Sequence, residues 1–467
     1  MEFVLQNVGI INKANIKLTG LTVICGSNNS GKSTAGKALY ATVESLSNLD
    51  EKLHEDLFVN YRRALMNVSR MLDLDGIYKY VDFEKMQEVC GKDLSMLVRS
   101  PYNQQFNSRQ SNIVDAFISL KEAVEFLCPP VFLDFLKKAK SDMPKKFFAF
   151  LDNFEESREK ALVFLGELDK YYFEESPQKF AEKSAAALFS TEFNEQVFPV
   201  NSKSKERKSY VSISKNGEIG CSLTLTDRKK DIIAMVSSSK LFVNNAIYIE
   251  DPYSLDKIAA GDEFPYFFRI NKSMDYSHSA KLKRLLLKKE TTSLIEKSIN
   301  KEKYIDLIKK ISDIIPGVLT LRETGMFYEE PEKEPLKVQN LATGSKMFSI
   351  IKNLLEKGEI TFDTILILDE PESHLHPEWQ NIFAEIIVLL VKELDSKVLL
   401  TTHSPNFLMA LEAYSKQYEM VDKTNYYMAK HLDNDYLVDY INVNDRLSEI
   451  YSSFAYPLIQ VKKLKDS

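Results

Sequence analysis

One stretch of nine residues narrows the fold of this chain more than any other. Gly26-Ser-Asn-Asn-Ser-Gly31-Lys32-Ser33-Thr34 fits G-x-x-x-x-G-K-[ST] without a gap. Ahead of it, Leu21-Thr-Val-Ile-Cys25 is apolar and β-branched, the pattern of a buried strand. Behind it, Ala35-Gly-Lys-Ala-Leu-Tyr-Ala-Thr-Val43 reads as a helix. Strand, glycine loop and helix in that order make a phosphate-binding P-loop, whose N–H groups and positive helix end surround the phosphates. The nucleotide-binding candidates are therefore Gly26, Ser27, Asn28, Asn29, Ser30, Gly31, Lys32, Ser33 and Thr34. Lys32 is expected to reach the β- and γ-phosphates, and the Ser33 hydroxyl to ligate Mg²⁺. The implied ligand is a nucleoside triphosphate.

Two further strand ends carry chemistry. Thr364-Ile-Leu-Ile-Leu-Asp369-Glu370 delivers two carboxylates at the end of an apolar run, a Walker B pattern. Asp369 is the expected second Mg²⁺ ligand, and Glu370 is expected to orient and deprotonate the attacking water. Val398-Leu-Leu-Thr-Thr-His403 is another buried strand, ending in an imidazole suited to bonding a γ-phosphate oxygen and sensing its presence. Lys32, Glu370 and His403 are thus the catalytic candidates. Before Walker B comes Asn340-Leu341-Ala342-Thr343-Gly344-Ser345-Lys346, followed by Met347, Ile350, Ile351, Leu354 and Leu355 at helical spacing. Gly344 and its small neighbours allow a helix N-terminus to approach a phosphate closely. An ordinary helix capped by Thr343 or Ser345 has the same spelling.

The rest of the chain bounds the setting. Its 467 residues are 44% hydrophobic and 27% charged, which implies a sizeable core and room for two or three domains. Net charge is −6, so bulk charge gives no support for nucleic-acid binding. The four cysteines are scattered without a C-x-x-C pair, which argues for neither a disulfide framework nor a zinc site. Met1-Glu-Phe-Val opens directly into a strand pattern, and no run of about 18 apolar residues occurs. A cytoplasmic protein without a membrane span is the expectation.

Residues 1–25 read as three strands, and residues 46 to about 200 as mainly helical, with a polar loop near Pro101. Phe147, Phe154, Ala161 and Leu168 keep a heptad spacing, read as a helix packed within a helical lobe in preference to a coiled coil. A hairpin is expected over Tyr210 to Leu225, turning at Asn216-Gly217. Residues 279–315 return to helix, and Val318 to Glu329 read as a strand pair. The basic runs Lys203–Lys208 and Lys281–Lys289 read as solvated faces, with nucleic-acid or partner contact the second reading. His374 and His376 follow Walker B in a loop, where packing is favoured over metal ligation. Trp379 reads as a core or dimer-contact anchor.

P-loop, Walker B and His403, with the segment Leu341 to Lys346, together resemble the ATPase head of the ABC class. The fold this implies is α/β, a mixed sheet flanked by helices, with a large mainly helical insertion. Residues 1–45 and 245–467 are assigned to the head and 46–244 to the insertion, which ends in the hairpin. In that class a "signature" helix N-terminus from one subunit completes the site on another subunit's P-loop. Here Leu341, Ala342, Thr343, Gly344, Ser345 and Lys346 occupy the signature position and are expected to act in trans. Ala342 stands where the pattern has serine, which implies slow hydrolysis or a long-lived ATP-bound state; Thr343 and Ser345 are the candidate substitutes. His376 replaces the D-loop aspartate, and the turn at Glu250-Asp251-Pro252 lies where a Q-loop is expected.

More than 300 residues separate Lys32 from Glu370, far more than in transporter subunits and similar to the RecF, SMC and OLD branch. Within it, Thr343-Gly-Ser-Lys-Met-Phe348 and His376-Pro-Glu-Trp-Gln380 look most like PtuA-type ATPases of Septu and retron antiphage systems. That resemblance implies ATP and Mg²⁺ as cofactors. It also implies a homodimer or higher oligomer of head-to-tail dimers, and a partner nuclease of the PtuB-like HNH kind encoded beside the ATPase. Residues 404–467 are too few for a nuclease domain, so cutting is expected from another chain. The rival expectation is a RecF- or SMC-like repair ATPase that binds DNA directly.

Overall fold

The computed structural model describes residues 1–73, 83–91, 113–138, 145–174, 176–199, 207–228, 231–258, 276–288, 305–432 and 436–465. Pro101, Lys203, Lys205 and Lys289, singled out in the sequence, lie outside them, as do the side chains of Phe147 and Phe150. The chain forms two compact units, one of residues 1–47, 181–265 and 275–467, the other of residues 48–180 and 266–274.

The first unit is built on an 11-stranded sheet. Its strands are β1 (Glu2–Val8), β2 (Ile11–Lys17), β3 (Leu21–Cys25), β4 (Lys208–Lys215), β5 (Glu218–Arg228), β6 (Asp231–Ser239) and β7 (Asn245–Ile249). After a separate hairpin, β8 (Val318–Arg322) and β9 (Gly325–Glu329) with the short β10 (Leu336–Lys337), come β11 (Thr364–Asp369), β12 (Lys397–Thr402), β13 (Thr424–His431) and β14 (Val438–Asn442). The order is β6-β5-β4-β1-β2-β14-β13-β3-β12-β11-β7. The half from β6 to β2 is antiparallel, whereas β13, β3, β12, β11 and β7 run parallel. This is the mixed α/β sheet expected.

The two halves carry different residue patterns for one physical reason. Parallel strands need crossover connections that cover both faces, so their residues are apolar throughout. Accordingly, β3 and β11 are buried along their whole length, while β1, β2 and β6 include exposed positions. The crossover helices Lys32–Leu46 and Pro377–Leu394 bury apolar side chains, among them Ala38, Leu39, Phe383 and Ile387.

The hairpin at residues 210–225 forms as expected. It pairs with β1 through Val4↔Ser212 and Leu5↔Val211, and so extends the 11-stranded sheet. Hydrogen bonding across long sequence separations decided this, and local pattern carries no record of it. The second compact unit is correspondingly shorter at its carboxyl side than the segment 46–244. It is helical, with Leu49–Met71, Ile113–Phe126 and Lys145–Glu174 around a core that includes Tyr61, Leu65, Phe117, Phe132, Phe154 and Leu165. Phe132 meets Phe154 edge to face, and Phe154 and Ala161 are buried with Leu168 packed against them, so the described part of the heptad-like stripe is packed core. No helix among the described residues is long and apolar enough to cross a membrane.

Candidate functional site

Parallel pairing brings three strand ends to one level. In the register, Cys25 lies opposite Thr402, and Asp369 opposite Thr401. The residues that follow, Gly26, His403 and Glu370, therefore emerge together at the carboxyl edge of the sheet, where ligands of open α/β folds bind. Lys32 Nζ lies 3.2 Å from Glu370 Oε1, and His403 Nδ1 lies 3.1 Å from Glu370 Oε2. Lys32 is 5% exposed and also donates to the carbonyls of Gly26 (3.1 Å) and Ser27 (3.0 Å). The three catalytic candidates, 371 positions apart at the extremes, form one bonded chain.

Glu370 sits in the left-handed region, at φ +47°. A non-glycine residue there costs on the order of 1 kcal/mol or more and persists only where its surroundings hold it. Its N–H donates to the Thr401 carbonyl (3.2 Å) and hydroxyl (3.0 Å), and its carbonyl accepts from Ser373 N (3.0 Å). The turn aims the carboxylate back across the sheet edge at Lys32 and His403.

The neighbouring carboxylates are anchored from the strands beside them. Asp369 accepts from the Thr401 hydroxyl and, at 3.1 Å, from the Tyr248 hydroxyl of β7. Glu372 is 1% exposed and accepts from the Thr402 hydroxyl and His403 N. Burial raises the Glu372 carboxyl above its ordinary range. Tyr440, in β14, donates at 2.6 Å to the carbonyl of Gly31, the residue that starts the P-loop helix. None of Tyr248, Thr401 or Tyr440 stood out in the sequence.

A second network braces the P-loop helix. His278 bonds Glu192 and, at 3.2 Å, Glu250, which also pairs with Lys37 at 3.1 Å. Burial opposes charge on His278, but hydrogen bonds to Glu192 and Glu250 outweigh it and raise its pKa to about 9. The bond from His278, with Lys37 assisting against burial, holds Glu250 down at about 2. The turn expected to be a Q-loop thus presents a carboxylate already committed to this brace.

The cleft at this edge measures about 470 Å³, within the usual range for small-ligand sites. Asn28 to Thr34 and Glu370 line it together with Gly9, Ile10, Phe193, Gln196 and Phe198, which the sequence reading missed. The Ser30 hydroxyl is buried without a hydrogen-bond partner, a vacancy in polar pairing that a phosphate oxygen fits. For a divalent cation the donor set also fits. Each Asp369 oxygen accepts one hydrogen bond and keeps lone-pair capacity, and the Ser33 hydroxyl is exposed at the cleft.

The segment 341–346 takes no part in the Lys32–Glu370–His403 bonds and, like Gly26, Ser27, Asp369 and His403, does not line the cleft. It opens the helix Thr343–Glu356, whose N-cap is Ala342 with no side-chain cap, so neither Thr343 nor Ser345 caps it. Ala342 is exposed, and Lys346 is turned inward, 2.8 Å from Asp256. A Cβ on Gly344 would lie 3.1 Å from Leu375 and 3.2 Å from Trp379, so close packing against these side chains favours glycine here. Trp379 in turn meets Phe348 edge to face. His376 caps the helix Pro377–Leu394, and His374 packs edge-on against Tyr253. The basic cluster at 281–288 is largely spent internally, Lys281 on Glu44 and Asn245, Lys288 on Glu359.

A family model for an AAA ATPase domain (AAA_15) matches residues 1–408. No curated protein matches the chain. Similar solved structures include the SMC head domain from Thermotoga maritima, 10% identical over 95% of this chain and 98% of that one, at a TM-score of 0.36. An SmcHead bound to the C-winged helix domain of ScpA is 10% identical over 96% and 98%, at 0.41. An Smc head domain with an extended coiled coil, bound to the C-terminal domain of ScpA derived from Pyrococcus furiosus, is 10% identical over 97% and 98%, at 0.40. TM-scores this low leave the assignment to rest on the domain match, which spans far more than half of the chain. This protein belongs to the AAA ATPase domain family.

Proposed function

We propose that this ATPase is the regulatory subunit of a prokaryotic antiphage complex, working as a head-to-tail homodimer or an assembly of such dimers and controlling a partner nuclease. One observation carries the pairing: Lys32, Glu370 and His403 bond in one chain within a single copy, whereas residues 341–346 neither join those bonds nor line the cleft beside Lys32 and Glu370. An uncapped helix N-terminus with an exposed Ala342 is chemically suited to a phosphate, and the cleft that needs such a group belongs to a second copy.

In this reading the P-loop from Gly26 to Thr34 holds the phosphates of ATP, and Lys32 exchanges its bond to Glu370 for the β- and γ-phosphates. Ser33 and Asp369 would hold Mg²⁺, which neutralises phosphate charge. Glu370, released from Lys32, orients the attacking water and accepts its proton, while His403 steadies Glu370 and bonds the γ-phosphate. With Ala342 in place of a hydroxyl residue, one γ-phosphate bond is missing and hydrolysis is slow. The ATP-bound pair then persists as a signal to the nuclease.

Co-purification with the nuclease encoded beside it tests the regulatory role, with cleavage assayed in ATP, ADP and no nucleotide. Association together with nucleotide-dependent cleavage is expected; absence of both overturns the reading. Salt-sensitive DNA binding with DNA-stimulated hydrolysis by the isolated chain would instead favour a repair ATPase. The internal pairing of Lys281 and Lys288 weighs against that outcome.

A further inference from the structure

We infer that the segment from Phe193 to Phe198 recognises the nucleobase and selects adenine, with Phe193 as the stacking face and Gln196 as the reader of the base edge. This rests on the nucleotide-binding reading of the same cleft. Beyond the P-loop and Glu370, the described lining consists of Gly9, Ile10, Phe193, Gln196 and Phe198.

The direction of the ligand follows from two fixed points. Lys32 and Glu370, in contact, mark the end where the terminal phosphate lies. The second is Thr34, which closes the loop motif and against which the turn between β1 and β2 packs so closely that a Cβ on Gly9 would lie 2.9 Å from Thr34 Cγ2. Gly9 N donates to the Val197 carbonyl at 2.6 Å, which fastens the segment 193–198 to the Thr34 end of the loop. A triphosphate with its terminal phosphate at Glu370 therefore carries its base toward this segment.

The segment is built, not a loose connection. The helix Pro177–Glu192 closes with Phe193 N bonded to Phe189 O and Glu195 N to Ser190 O at 2.8 Å. Asn194 and Glu195 are consecutive left-handed residues, at φ +48° and +66°, an arrangement that costs energy and must be held in place. Phe193 stacks on Phe189 with centroids 5.8 Å apart and planes 13° apart, which fixes the ring. An aromatic face accepts any base, so discrimination must come from a polar group. Gln196 is the only polar side chain in the described lining outside the P-loop and Glu370. Its amide offers one donor and one acceptor face, the pairing that matches adenine, whereas guanine favours Arg or Lys.

Equilibrium binding of ATP, GTP and inorganic tripolyphosphate, each with Mg²⁺, to the full chain and its variants tests this. Phe193→Ala should weaken ATP binding about tenfold and leave tripolyphosphate unchanged. Phe193→Leu, which keeps apolar packing on Phe189 but loses the flat face, should behave alike at an unchanged melting temperature. Gln196→Ala should shrink the preference for ATP over GTP by about fivefold or more. Lys32→Ala should weaken all three ligands. Parental ATP affinity in Phe193→Leu, with the ATP preference intact in Gln196→Ala, overturns the inference and leaves the nucleotide site standing. Failure of the parent chain to bind either ATP or tripolyphosphate overturns both.

Discussion

The cleft edge of β3, β12 and β11 and the N-terminus of the helix Thr343–Glu356 are built on opposite plans. At the cleft, every catalytic candidate is bonded within the chain: Lys32 to Glu370, Glu370 to His403, Asp369 to Tyr248 and Thr401. At the helix, the backbone donors of the first turn have no side-chain cap, and the flanking Ala342 is exposed. Polar side chains crowded at a partly buried strand edge lose water and gain from pairing with one another, whereas the first N–H groups of an exposed helix end remain open to a ligand. In the proposed dimer, the contrast separates side chains that one copy brings together alone from a helix end offered to a second copy.

That contrast can be broken in four places. Glu370→Gln has the largest expected effect, a fall in ATP hydrolysis of about 10²–10⁴-fold with ATP binding retained. Single-turnover kinetics read it directly, and normal turnover would remove Glu370 from the role of base. Lys32→Ala follows, weakening ATP binding about ten- to a hundredfold by loss of a charge-assisted contact, measurable by calorimetry. Ala342→Ser addresses the other region. If a second copy's helix meets the γ-phosphate, the added hydroxyl should speed hydrolysis about tenfold, and an unchanged rate would detach residues 341–346 from the chemistry.

The smallest effect concerns the brace behind the cleft. His278 is held charged well above its unfolded value of about 6.5. Its contribution to stability is complete below that value and is lost as pH rises through about 9. The melting temperature of the parent chain should therefore fall by about 2–4 °C over that window relative to His278→Gln. Parallel melting curves of the two proteins would show the brace to be immaterial.

Much of the cleft was legible in the sequence because its parts are local. A P-loop is contiguous, and Walker B and His403 each end a four- to six-residue apolar run whose burial on both faces leaves a clear pattern. The expected strand Leu21–Cys25 is β3 to the residue, and Thr364–Asp369 is β11. The sequence also led to the hairpin at 210–225 and to Val318–Glu329 as a strand pair. What it hid were contacts made by single side chains across long separations. Tyr440 reaches Gly31 over 409 positions, and Tyr248 reaches Asp369 over 121. A tyrosine in an apolar strand looks the same whether its hydroxyl meets water or a P-loop carbonyl. The basic run at 281–288 misled in the opposite direction, since its partners Glu44 and Glu359 come from distant segments.

Residue order alone determined that this chain carries a G-x-x-x-x-G-K-S loop, paired carboxylates and a histidine at strand ends, because each is short-range chemistry spelled in consecutive residues. Only the tertiary structure decided that β3, β12 and β11 are neighbours in parallel register, which turns three separate motifs into one bonded cleft. The hairpin's place beside β1 and the fastening of the segment from Phe193 to Phe198 were decided the same way, by backbone hydrogen bonds between residues far apart in the chain. Those bonds are chosen by the global packing of apolar faces, and no local window of sequence contains that information.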